Sequence, residues 1–288
     1  MPEFVGGAGA VAYNLAKATK DLGYDVYIIS TTQNKEDEKN YVQDGLKIYK
    51  IYSQYHRRWR AYISLYNPQT VKKVRKIIAN IKPDVIHAHN IHYHLSYHCL
   101  KIAKLAGASV FLTAHDVMLV NYSSIKIPRE ATCKNFTDYC RLSVFNQIRE
   151  YKKRYNPLRS LIIKRYLKKY IDKIFTVSDA LKNILTLNGI SNLEVVRNGI
   201  DINVSEFDQK AVTAFKKRNN LEDKKIILFS GRISEEKGIF QIIQALDLVL
   251  REIPNALLLV AGSGARLDNV NLPIRSLGWL GHEEMKIA

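Results

Sequence analysis

The chain has 288 residues, 47% of them hydrophobic, which suffices for two domains with sizeable cores and excludes global disorder. It carries 44 basic and 27 acidic residues, a net charge of +17; residues 205–288 hold only 12 and 11 of these, so residues 1–204 carry +16 and favour anionic partners. Three cysteines (Cys99, Cys133, Cys140) make a poor disulfide framework, no apolar run could span a bilayer, and residues 1–7 show no secretory pattern, so a cytoplasmic location is expected.

From the N-terminus, Val11, Leu15, Ala18 and Leu22 recur at helical spacing, with Gly23 placed to end that helix. Residues 24–30 and 46–52 read as buried strands, and residues 69–81 as an amphipathic helix with Val71, Val74, Ile77 and Ile78 on one face. Pro83-Asp84 leads into a strand over 85–89, a helix is expected over 93–106, and a strand follows at 109–113. Residues 117–157 break the rhythm and are expected to leave the sheet. Short strands are expected at 174–177 and 193–196. A polar stretch near 203–223 marks the domain boundary, giving domains of 1–203 and 204–288. The alternation then resumes with a strand at 225–230, a helix at 240–251 and a strand at 256–261. Strand, helix, strand at this spacing predicts an α/β fold with parallel sheets.

The candidate site residues fall at strand ends and glycine turns. Gly6-Gly7-Ala8-Gly9 opens a helix whose free N–H groups suit a phosphate, with a tight turn as the alternative. His87 and His89 share one side of a strand, closely followed by His92, His94 and His98. No carboxylate or cysteine pattern completes a metal set, so no metal is expected, and His89 is a candidate ligand-facing residue at a carboxyl end. His115 and Asp116 also follow a strand; the imidazole could donate to a sugar or phosphate with Asp116 orienting it, or Asp116 could simply cap a turn. Asn198-Gly199 reads as a turn. Phe229 to Gly238 carries most weight: it leaves a strand, turns on Gly231 and presents Arg232 and Lys237 at a helix start. Arginine binds phosphate oxygens bidentately and lysine adds a point charge, a pairing suited to a departing diphosphate. The alternative is a solvated mixed-charge turn, because Glu235 and Glu236 intervene. Gly262 and Gly264 form a second strand-to-glycine turn, for a nucleotide or for packing.

In order, PEFVGGAG, DVIHAH, TAHD, VSDAL, VRNGID, GRISEEKG and LLLVAGSG resemble the GT-B glycosyltransferases of family 4 over essentially the whole chain. The resemblance implies GT-B architecture: two Rossmann-like domains facing a cleft, acceptor-side over 1–203 and nucleotide-sugar-binding over 204–288. It implies a retaining hexosyltransferase-type enzyme using a UDP- or GDP-linked sugar, with no metal and no further cofactor. Gly6, Gly7, Arg232 and Lys237 match donor-diphosphate positions, and His115 the catalytic position beside the transferred sugar. His89, Asp116, Asn198, Gly199, Gly262 and Gly264 are the expected cleft and substrate positions. Against the family pattern, the strand before the glycine loop and the acidic E-x7-E segment after residue 288 are missing. The C-terminal domain is therefore expected to be incomplete, and this chain to have little or no transferase activity.

A glycan or lipid-linked acceptor in cell-surface polysaccharide synthesis is expected. Residues 141–173 hold eleven basic residues against Glu150 and Asp172. Residues 158–170 form an amphipathic helix whose apolar stripe, Leu158, Leu161, Ile162, Tyr166 and Tyr170, is expected to face the sheet. Its cationic side could hold the protein at the inner face of an anionic membrane. A non-catalytic nucleotide-binding remnant is one alternative. A nucleic-acid binder is another, but no recognition motif accompanies the basic charge, and no nucleic-acid partner is expected.

Overall fold

The computed structural model describes residues 6–123, 140–199, 208–267 and 270–287. The chain divides into two units at the Gly199–Ile200 junction.

The first unit opens with helix α1 (Gly7–Asp21), which buries Tyr13 against Leu46 and Ile48. Strand β1 (Tyr27–Thr32) begins three residues later than expected, where its pairing with β3 (Leu46–Tyr52) begins; Tyr24 stays exposed. Between them lies β2 (Lys39–Gln43), which the sequence reading passed over. It pairs antiparallel with β3 through a turn on Asp44 and Gly45, both at positive φ. Asp-Gly is a strong hairpin signal, but β2 is a polar edge strand without an apolar run. These strands form one sheet in the order β1-β3-β2.

A second sheet, β4-β5-β6-β7, is wholly parallel: β4 is Val85–His89, β5 Ser109–Ala114, β6 Lys173–Thr176 and β7 Leu193–Val195. A one-turn helix α2 (Arg60–Ile63) precedes α3 (Pro68–Ile81). Asn67 caps α3 by accepting from Gln69 N, Pro68 takes the first turn where no N–H is needed, and left-handed Lys82 ends the helix before Pro83. Val71, Val74 and Ile78 are its buried apolar face, as their spacing predicts.

Helix α4 (His98–Leu105) is shorter than the expected 93–106. Neighbouring groups hold the backbone ahead of it: Asn67 and Thr70 donate to the His94 carbonyl, Tyr55 to that of Tyr93, and Tyr97 N donates to Ser64 O. Those bonds replace a first helical turn. Helices α5 (Val144–Tyr151), α6 (Arg159–Tyr170) and α7 (Asp179–Leu187) follow. In α6 the buried side is Arg159, Ser160, Ile163 and Leu167, while Leu158 and Leu161 are exposed. The expected stripe is thus corrected: only Ile162 and Tyr166 of the five pack against the core.

In the second unit, α8 (Gln209–Arg218) falls in the stretch read as a polar boundary; Asp208 caps it and Phe215 is buried. Strands β8 (Lys225–Ser230), β9 (Ala256–Ala261) and β10 (Ile274–Gly278) form a parallel sheet in the order β10-β9-β8. Every residue of central β9 is buried. One of its faces packs on Ile239 and Leu246 of α9 (Ile239–Glu252), the other on Phe215 and Leu221. Helix α10 (His282–Ile287) follows.

Candidate active site

In the first unit the parallel register of β4 and β5 sets His87 beside Phe111 and His89 beside Thr113. His87 Nε2 lies 2.7 Å from Thr113 Oγ1, and His89 Nδ1 lies 3.0 Å from His115 Nε2. The His87 and His89 ring centroids are 4.4 Å apart and those of His89 and His115 5.3 Å, so three imidazoles run in file off the carboxyl ends of the strands. Burial pushes His87 down to about 4 and His89 down to about 3, with the other imidazoles adding to the effect. Burial also lowers His115, while nearby Asp116 opposes it. All three are neutral at physiological pH. The His89–His115 bond therefore holds one proton, and His115 Nδ1 is left for a ligand.

Asn90, which the sequence reading did not single out, joins the two strand ends. It sits at a left-handed φ of 43, accepts from His115 N at 3.1 Å and donates to Asp116 Oδ2 at 3.1 Å. The usable signal was its place directly after a strand, since asparagine tolerates that conformation. Asp116 caps the 3-10 turn Val117–Leu119 by accepting from Met118 N at 2.8 Å. Its carboxylate also lies 3.4 Å from buried His92 Nε2. Burial favours the neutral form of Asp116, but His92 and the Met118 amide outweigh it and keep the carboxyl ionised; burial holds His92 below its ordinary value. The side chain that orients the His115 ring is thus His89, and Asp116 serves the loop.

In the second unit Arg232 and Lys237 flank the turn after β8, both exposed. Neither side chain has an ion-pair or hydrogen-bond partner among the described residues. The 3-10 turn Glu235–Lys237 ends on left-handed Gly238, where α9 begins. Gly262 and Gly264 have a packing role: a Cβ on Gly262 would lie 1.8 Å from Gly231 O, and one on Gly264 2.3 Å from Ile233 O. Their bare backbones let Gly231 N reach Ala261 O and Ile233 N reach Ser263 O, each at 2.9 Å, extending the β8–β9 pairing past the strands.

Gly6 and Gly7 lie at the N-terminus of α1, exposed, with nothing within 4 Å of where a Cβ would stand. No acidic residue occupies its first turn, so an anion could approach its free N–H groups. Asn198 and Gly199 are exposed in irregular chain after β7. Among the described residues no group of three His, Cys, Asp or Glu could hold a metal. Cys99 is a half-buried free thiol, Cys140 is buried, and Cys133 lies outside the described residues.

The sequence profile of Glycosyltransferase Family 4 matches residues 5–204, and that of Glycosyl transferases group 1 matches residues 212–285. An uncharacterized glycosyltransferase of Methanocaldococcus jannaschii is 27% identical over 268 residues, which cover 93% of this chain and 62% of the relative. This chain thus spans less than two thirds of that protein. Glycogen synthase of Mycobacterium tuberculosis is 21% identical, with 99% of this chain and 66% of the enzyme covered. Among solved structures, Anabaena HepE in complex with UDP-glucose superposes with a TM-score of 0.59 at 12% identity, covering 99% of this chain and 68% of that one. A glycosyltransferase from Rickettsia africae gives 0.58 at 17% identity, covering 100% and 68%. At these identities the likeness establishes the fold, an α/β fold of the GT-B type.

Proposed function

The chain belongs to Glycosyltransferase Family 4, and from that membership we propose that it moves a sugar from a nucleoside-diphosphate donor to a glycan or lipid-linked acceptor, with retention of configuration, in polysaccharide synthesis. The observation that carries this reading is the pair of exposed cations at the mouth of β8, Arg232 and Lys237, which have no partner among the described residues. Sugar transfer expels a diphosphate, and a guanidinium and an ammonium placed on it stabilise the charge that develops there. The open N-terminus of α1 at Gly6 and Gly7 offers the first unit's own contact for phosphate. His115, neutral and held through Nε2 by His89, presents Nδ1 to the transferred sugar as a hydrogen-bond partner.

UDP-glucose, the ligand named for the Anabaena structure, is the probe. Its affinity, read by calorimetry, is expected to fall roughly 100-fold in the Arg232→Ala/Lys237→Ala variant, on the scale of two charge-assisted hydrogen bonds. Unchanged affinity would refute the assignment. Binding of duplex DNA with a steep salt dependence would instead favour the nucleic-acid reading.

A further inference from the structure

A cavity of about 850 Å³ opens in the first unit, and none of the residues assigned above to the donor or the transferred sugar lines it. Its walls are the segment that leaves the carboxyl end of β3 and the segments around Tyr122 and Arg154. Four arginines line it, Arg57, Arg58, Arg60 and Arg154, together with the aromatic rings of Tyr55 and Tyr122. Among the described residues, no Asp or Glu lines it.

The arrangement is built rather than incidental. Arg60 donates to the Tyr122 carbonyl, and its guanidinium lies 4.2 Å from the Tyr122 ring centroid and 5.2 Å from that of Tyr93. These contacts fix its plane and leave further N–H donors for a ligand. Tyr122 N is held in turn by Gln147 at 3.0 Å, and the chain before it by buried Arg159, which donates to the Met118 and Asn121 carbonyls. The His56 ring accepts from Arg58 N, closing the 3-10 turn Arg57–Trp59 that carries Arg57 and Arg58. Tyr55 donates to Tyr93 O, and burial pushes its phenol up to about 12, so it brings no negative charge to the cavity. Burial and the nearby Arg60 charge both lower Arg159, so the two cations repel across this wall. An anion in the cavity would relieve that repulsion.

We propose that this cavity binds the phosphate-bearing end of the acceptor, its arginines forking onto the phosphate oxygens and its tyrosine rings lying along the attached sugar or glycerol. Guanidinium forks match phosphate, and the volume exceeds that of a bare ion and falls within the range of small-molecule sites. The cavity gathers segments that follow the carboxyl ends of β3 and β5, and His115 also follows β5. Calling the ligand an acceptor rests on the transferase reading. Phosphate binding does not.

Glucose 6-phosphate, with glucose as its neutral counterpart, probes a soluble phosphate ester by calorimetry. Phosphatidylcholine vesicles with and without phosphatidylglycerol probe a lipid headgroup by flotation. Arg57 and Arg154 are exposed, so the Arg57→Gln/Arg154→Gln variant is expected to keep the parent melting temperature. It should bind glucose 6-phosphate, or the anionic vesicles, at least about 10-fold more weakly, the loss of one charge-assisted contact or more. Loss in the calorimetric arm identifies a soluble ester, and loss in the flotation arm a lipid. Arg58→Glu should reproduce that loss, whereas Arg232→Gln/Lys237→Gln should leave it unchanged. The proposal is overturned if neither phosphate form binds more tightly than its neutral counterpart. It is equally overturned if the cavity variants bind like the parent, or if only the Arg232/Lys237 variant loses binding. Intact binding here with no UDP-glucose binding would retain the phosphate site and remove the donor assignment.

Discussion

At the scale of single residues, the imidazole file ties stability to pH. His87 and His89 have folded-state values near 4 and 3, below the ordinary histidine value of 6.5. The unfolded chain therefore takes up protons at these positions before the folded chain does, and stability falls as pH drops from about 6.5 towards those folded values. Each pKa step corresponds to about 1.4 kcal/mol, so the loss amounts to a few kcal/mol. Calorimetric melts between neutral and mildly acidic pH should show a falling Tm, and a His87→Gln/His89→Gln variant should show a flatter profile. Asn90 carries a different liability. Asn90→Ala removes both hydrogen bonds between the strand ends and leaves a non-glycine residue at positive φ. It is expected to cost about 1–3 kcal/mol, read as a lower denaturant midpoint with an unchanged slope.

At the scale of elements, the exits of β8 and β9 lie too close together for side chains. Gly262→Ala would press a methyl group into the Gly231 carbonyl and should destabilise the second unit by about 3 kcal/mol or more. Proteolysis that cuts residues 208–287 first, with the first unit intact, would be its signature; equal resistance of both units would refute it. Helix α6 is the contrasting case. Its exposed side carries Leu158, Leu161, Arg165, Lys168 and Lys169, because Ile163 and Leu167 are the residues taken into the core. The apolar positions over 158–170 allow two helical stripes, and the choice depends on which one meets α4 and the 3-10 turn Val117–Leu119.

At the scale of the whole molecule, nearly all of the +17 charge belongs to residues 1–204, and no described helix is long and apolar enough to cross a membrane. Surface attraction is one route to a bilayer, and the exposed leucines and lysines of α6 suit it. Sedimentation with anionic vesicles at low salt should exceed that with neutral ones. Lys168→Gln/Lys169→Gln should weaken it roughly thirty-fold, at about 1 kcal/mol per basic residue near the surface. Equal sedimentation with both vesicle types would dismiss the idea.

The sequence by itself determined the α/β rhythm and the strands that lead to His89, His115 and Arg232, because apolar runs and glycine turns act within a few residues of themselves. Tertiary structure alone decided the rest. Polar β2 has no strand signal apart from its partner β3, and α4 loses its first turn to donors from Asn67, Thr70 and Tyr55. The glycines at 262 and 264 answer to a neighbouring strand, and His115 is oriented by His89 across a strand pair, not by the adjacent Asp116. The last three of these depend on groups far away in the chain, and no local pattern records which distant group will arrive.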